Sequence, residues 1–351
     1  MCWLNFITLN SVAPIKNLHQ ISDAGAGKGL MQLHPTRDTE LIVCGMANTL
    51  LEGKAFPSPV LSNGSVTPAI LVHGIFKALR EQGHKIRLHC YQLGLDSVPD
   101  FHGCELDEVI THYCKVGEEA ELVEQTLIPE LRRQQLNGEE HLIAESGIGG
   151  TTFATLWLQR WIDNNLWFAG STKDKKKLAL KRAAINELLE KTEHLPLEAN
   201  AYTDNTEYSD PVQRACCALL ESDLDKVNFA GGAMIFAPII AMQKTTRVKE
   251  VSVATTRWVL DAEDSKTVAK ALPDNCELRI PKVKFHQSDF HAIRMYEDGY
   301  VVEGCGLGAC LEFAERHGLQ DSDLVASLDK AVAPWYEKKN ECNENHQYES
   351  L

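Results

Sequence analysis

No run in this sequence approaches the ~20 uninterrupted apolar residues that a membrane-spanning helix needs, so a helical membrane protein is excluded and no membrane partner is expected. Met1–Asn10 is apolar but lacks the basic n-region and small-residue cleavage site of a secretory signal, which leads to the expectation of a cytoplasmic chain. Positive charge is scarce. Thirty-five Lys and Arg stand against 49 Asp and Glu, for a net charge of −14. That balance argues against nucleic acid as a partner, although a local basic pocket for a small anion is compatible with it. None of the eleven cysteines forms a CxxC pair, as suits reduced, buried thiols in the cytosol. HExxH is absent, His84 and His89 are five apart, as are His286 and His291, and no Cys–His array has zinc spacing; no metal is expected. The GxSxG elbow of a serine hydrolase is missing too. Ala24-Gly25-Ala26-Gly27-Lys28-Gly29 is no P-loop, because Gly29 stands where Ser or Thr is required. It reads as a flexible loop.

What remains is a chain of 351 residues, 44% of them hydrophobic, enough for one large domain or two modest ones. Short apolar, β-branched runs recur at Glu40–Cys44, Ile86–Tyr91, His141–Ala144, Lys249–Ala254 and Glu277–Ile280. Between them lie helix-like segments. Ile70, Ile75, Phe76 and Leu79 make one helical face after a Thr67-Pro68 start, and Phe153–Trp161 reads as another helix. Strands alternating with helices predict an α/β fold on a parallel sheet. Lysine-rich Ser171–Lys191 reads as a solvated helix, Asn200–Asp210 as a turn, and Val227–Met242 as a strand, a Gly231-Gly232 loop and a helix.

Two glycine-rich stretches carry a carboxylate each: Glu145-Ser146-Gly147-Ile148-Gly149-Gly150-Thr151-Thr152 and Glu303-Gly304-Cys305-Gly306-Leu307-Gly308-Ala309. Glycines let backbone N–H groups approach a phosphate or sugar. A helix N-terminus adds partial positive charge, and Thr151 and Thr152 add hydroxyl donors. The competing reading of the first stretch is a tight structural turn, and the two weigh about equally on the glycines alone. Gly231-Gly232 reads first as close helix–sheet packing and second as a backbone donor site. Glu303 follows Val301-Val302 and is expected at the end of a strand, facing a cleft, with its pKa raised by burial; the alternative is an acid at a helix start.

In order along the chain, Leu33–Glu40, Glu145–Thr152, Phe229–Met234, Ala254–Val259 and Tyr296–Gly304 resemble the nicotinate-nucleotide:dimethylbenzimidazole phosphoribosyltransferase family. The likeness is to its divergent archaeal and cyanobacterial branch. The resemblance implies a Rossmann-like domain over 41–309, a small helical domain from 1–40 plus 310–351, and a homodimer. It implies transfer of the 5-phosphoribosyl group of nicotinate mononucleotide to dimethylbenzimidazole or a related azole, with no cofactor. Glu303 stands where the family has its catalytic base; Glu145 is the second catalytic candidate, a carboxylate to steady an oxocarbenium-like transition state or to grip the ribose hydroxyls. Gly147, Gly149, Gly231 and Gly232 fall where the family holds phosphate, and Ser288 at a family serine near it; Gly150 and Thr151 join the expected phosphate and ribose site from the loop reading above. Cys305 and Ser146 depart from the family pattern and bear on the choice of acceptor. The alternative function is a non-catalytic, nucleotide-binding relative that senses or carries a ligand. A phosphoribosyl pyrophosphate enzyme ranks last, for want of a paired-acid loop.

Overall fold

The computed structural model describes residues 3–24, 31–49, 59–61 and 63–348, with side chains to residue 336. Seven strands form one parallel sheet: β1 Trp3–Val12, β2 Lys85–Leu93, β3 Glu108–Cys114, β4 Glu140–Ile148, β5 Lys226–Ala230, β6 Glu250–Ala254 and β7 Cys276–Arg279. Their order is β3-β2-β1-β4-β5-β6-β7. The helices that position the site are α1 His34–Cys44, α2 Pro68–Glu81, α3 Thr151–Trp161, α4 Lys175–Thr192, α5 Pro211–Glu221, α6 Ala233–Ala241, α7 Leu307–Arg316 and α8 Asp321–Tyr348. The α/β fold read from the sequence is the observed one.

Strand alternation divides the interior into two cores, one on each sheet face. Leu4, Phe6, Leu142 and Ala144 point toward α1, α2, α7 and α8. Ile7, Leu9, Ile143 and Phe229 point toward α3, α5 and α6. The N-terminal α2 start is as expected: Pro68 opens the helix and the Thr67 side chain accepts from Ala69 N, satisfying an orphan donor.

Three expectations are corrected. Glu40–Cys44 is the end of α1, not a strand; its Leu41, Ile42 and Val43 face the α2 core. The division at residues 40 and 310 does not follow separate cores. Trp3–Val12 is the strand at the middle of the sheet, and residues of 310–332 pack in one core with it. Val301-Val302 forms no ladder and is a loop; both valines pack against the cores, so burial alone accounts for their apolar character. The Gly25–Gly29 run lies outside the described residues.

Candidate active site

The strand order reverses between β1 and β4. In an open parallel sheet, ligands bind beyond the carboxyl ends of the strands at such a switch. Glu145 lies near the end of β4, and the ends of β5 and β6 bring Gly231-Gly232 and Thr255-Thr256 beside it. Glu303 arrives from a separate segment, the loop that enters α7.

Glu303 is half-buried and held on both oxygens. Oε2 accepts from Thr256 N at 2.7 Å and Thr255 Oγ1 at 3.4 Å; Oε1 accepts from Gly304 N at 3.1 Å and Gly308 N at 3.2 Å. Burial still outweighs those donors and lifts its pKa to about 7. Gly308 is obligatory here. A Cβ on it would lie 2.4 Å from the backbone of Thr255 and Thr256 and 2.7 Å from Glu303 Oε2.

Glu145 is buried, 8% exposed, and its Oε2 accepts only a 3.3 Å bond from Gly147 N among the contacts described. Burial, then the Glu303 charge, raise its pKa to about 8. Its stem lies over Gly231, where a Cβ would come within 2.7 Å of Glu145 Cγ. Asp210, buried beside Gly150, is also raised, to about 6, by burial. At neutral pH, then, Glu145 is protonated and Glu303 is divided between acid and base.

The protonated state of Glu145 has a measurable consequence. Its folded pKa, about 8, lies above the ordinary carboxylate value of ~4.3. The native protein therefore holds a proton that the unfolded chain has lost. Stability falls as pH rises through that window. Glu145→Gln removes this dependence, so the variant and wild type should be similar near pH 5, with the variant ahead by on the order of 2–4 kcal/mol near pH 8. Urea unfolding of both at the two pH values checks it; an unchanged difference would contradict a buried, protonated Glu145.

Beside these acids the N-terminus of α3 opens onto a narrow cleft lined by Gly149, Thr151, Thr152 and Lys181. Gly149 turns the chain at φ +82°. Lys181 is 2% exposed, and its Nζ donates to Thr151 Oγ1 (2.7 Å), Phe168 O (2.8 Å) and Ala169 O (3.0 Å). Burial alone lowers its pKa to about 7. The fully buried Thr152 Oγ1 has no partner. A helix N-terminus, two hydroxyls and a buried lysine thus meet at one cleft of about 10 Å³, chemistry suited to an anion in the volume of a single water.

The structure thus brings together Glu145, Glu303, Gly147 and Gly231 at one point, and Gly149 and Thr151 at the anion cleft. Over Gly147 and Gly150 the flexible end of Met234 fills the space, its Cε 2.7 and 2.2 Å from where their Cβ atoms would be. Gly232 precedes α6 and faces Val259 at van der Waals distance. Ser288 is not brought in. Its hydroxyl donates to Asp329 Oδ1 at 2.5 Å, on α8. Among the described residues, no group of three or more His, Cys, Asp or Glu could hold a metal ion.

Sequence reasoning passed over Lys181. The signal was present: Leu178, Lys181 and Ile185 share one helical face, and Lys181 and Ile185 are both buried, so a lysine sits in an apolar stripe. Thr255-Thr256, Asp38 and Asp210 also went without a role.

No protein-family model matches the chain. Curated relatives span nearly all of it. A UPF0284 protein of Metallosphaera sedula is 24% identical, covering 88% of this chain and 87% of its own. One of Pyrococcus furiosus is 25% identical over 88% and 92%, and one of Gloeothece citriformis 26% over 92% and 89%. The chain is thus similar to UPF0284 proteins over nearly its whole length. Among solved structures, CobT from Thermus thermophilus aligns over 95% of this chain and 83% of its own, at 13% identity and a TM-score of 0.39. These near full-length matches to archaeal and cyanobacterial UPF0284 proteins are in keeping with the archaeal and cyanobacterial branch that the sequence resembles.

Proposed function

We propose that this chain is a phosphoribosyltransferase that moves the 5-phosphoribosyl group of nicotinate mononucleotide to an azole such as dimethylbenzimidazole, giving an α-ribotide and nicotinate. The observation that carries the reading is Glu303: a desolvated carboxylate, its pKa raised to about 7, fixed by backbone donors beyond the carboxyl end of β6, with a second acid beside it. A general base works best with a pKa near the operating pH.

In this reading the phosphate lies at the N-terminus of α3, with Thr151, Thr152 and Lys181. Glu145 and Gly231 then sit beneath the ribose. Glu303 takes the azole N–H proton as that ring's nitrogen attacks C1′. The bond from C1′ to the pyridinium nitrogen breaks, and its electron pair stays on nicotinate, which leaves without needing an acid. Positive charge entering beside Glu145 favours its ionised form, so the proton is released to water and a carboxylate faces the developing oxocarbenium ion. Met234 must swing from Gly147 and Gly150 for the sugar to lie on bare backbone; its side chain has three flexible bonds.

The test is direct. Purified protein with nicotinate mononucleotide and dimethylbenzimidazole or another azole should release nicotinate in step with ribotide formation. Binding of the mononucleotide with no release across a panel of azoles would instead support a sensor or carrier.

A further inference from the structure

The steps above leave Asp210 unused. It stands just before α5, and one of its oxygens suffices for the local structure. Oδ1 accepts from Val212 N at 2.8 Å and from Ser11 Oγ at 3.2 Å. The Asp210 N–H donates to Gln213 Oε1 at 2.9 Å, which completes the capping box of that helix. A serine or threonine caps a helix with its single oxygen. The second oxygen, Oδ2, belongs to a fully buried side chain and meets no donor among the described residues. A bare carboxylate oxygen in the interior is costly, and burial lifts the acid to about 6.

The direction of Oδ2 supplies a reason for it. Oδ2 lies 3.2 Å from where a Cβ on Gly150 would stand, so it looks onto the bare turn between β4 and α3. Ser11 Oγ is 2.9 Å from the same point on Gly147, and Ser11 pairs with Gly147 near the carboxyl ends of β1 and β4. There the strand order reverses, the position at which such sheets hold ligands. Glu145 is close enough that the Asp210 charge helps to raise its pKa. The space among these groups is filled by the end of Met234, whose sulfur lies 2.7 Å from the Gly150 point. A thioether has no proton to give. The carboxylate therefore faces a flexible plug that cannot pair with it. A ligand that displaces the plug with a hydroxyl group can.

We propose that Asp210 Oδ2 accepts a hydrogen bond from a ribose hydroxyl of the mononucleotide, in the space Met234 vacates, and makes the site selective for ribose over deoxyribose. This deepens the phosphoribosyl-transfer reading and rests on it. Asp210 binds and does not move a proton in the reaction, and with the hydroxyl held there Glu145 is left to face C1′. A hydrogen bond to an ionised acceptor is among the stronger kinds. A sugar without the hydroxyl would still expel Met234 and would leave Oδ2 unpaired, which is how a polar site rejects an analogue.

The experiment titrates nicotinate mononucleotide and its 2′-deoxy and 3′-deoxy analogues into wild type and Asp210→Ser, with nicotinate release to dimethylbenzimidazole followed in parallel. Serine keeps the cap of α5 and removes Oδ2. Wild type should bind one of the two analogues about 10- to 100-fold more weakly than the mononucleotide, the usual loss for a hydrogen bond to a charged group. Asp210→Ser should bind the mononucleotide and that analogue nearly equally, and keep the wild-type ratio for the other analogue. A purely structural Asp210 would weaken all three ligands alike and leave both ratios intact. Asp210→Asn keeps the cap and the volume; its ratio should shrink in the same direction, and it gives the reading should the serine variant fail to fold. Wild type indifferent to both hydroxyls, or ratios unmoved in the variants, overturns the assignment of Asp210 and leaves phosphoribosyl transfer standing. The expected ratios without any nicotinate release keep the ribose contact and overturn the transfer. No binding of the mononucleotide overturns both.

Discussion

Glu303→Gln is expected to slow nicotinate release by about 10²- to 10⁴-fold, the usual worth of a positioned general base, while the mononucleotide still binds within a few-fold of wild type. Both oxygens of Glu303 accept backbone N–H groups, from Thr256 on one side and from Gly304 and Gly308 on the other. Glutamine can satisfy one side only, and its NH2 then faces a donor on the other. The variant accordingly loses the base and shifts the amide, so the rate alone does not identify the cause. The pH profile does. With Glu303 at about 7, kcat/KM of the wild type should rise as pH rises through 7, because the base must be deprotonated to act. That rising limb should vanish from the residual activity of the variant. Stopped-assay rates from pH 5.5 to 8.5, with a calorimetric titration of the mononucleotide, decide the matter. A variant as fast as wild type, or one that keeps the limb, removes Glu303 from the role of base.

The helices and strands that carry this site were legible where a segment states its own environment. Ile86, Leu88, Cys90 and Tyr91, and Leu142 to Ala144, supply the buried apolar positions of two parallel strands covered on both faces. Thr67-Pro68 marks a helix start by capping chemistry alone. Glu40–Cys44 misled for the same reason that made the others readable: Leu41, Ile42 and Val43 are a short apolar run with two β-branched residues, but Thr36 to Glu40 before them are buried as well, and tertiary packing made the whole segment a helix. Glu303 was readable as an acid beside glycines; its loop setting was not, since Val301-Val302 looks the same whether it pairs in a sheet or packs against a core. Ser288 shows the limit of position without geometry. Its partner Asp329 lies 41 residues on, and no local pattern announces that pairing. Lys181 shows the converse, for a charge run hid one residue that faces inward.

Lys181→Met should weaken nicotinate mononucleotide about 10- to 100-fold, as expected for one charge-assisted interaction, and leave nicotinate riboside, which has no phosphate, nearly unaffected. Lys181 Nζ spends its donors on Thr151 Oγ1 and the carbonyls of Phe168 and Ala169. Its effect on a phosphate therefore passes through the Thr151 hydroxyl, which accepts from the lysine and so aims its own O–H into the cleft, and through the field of a buried charge. Methionine keeps the stem packed among its apolar neighbours and removes the charge together with its three donated hydrogen bonds. With burial holding the ammonium pKa at about 7, the empty site is largely neutral at pH 8. A phosphate favours the charged form and raises that pKa. Binding at pH 8 should therefore take up a proton at Lys181, and affinity should fall as pH rises from 7 to 9. Calorimetry in two buffers of different ionisation enthalpy reads the uptake directly. Wild type should show it and Lys181→Met should not. Equal proton uptake in both proteins would mean that the phosphate is held elsewhere, and equal losses for mononucleotide and riboside would mean that Lys181 only supports the fold of α4.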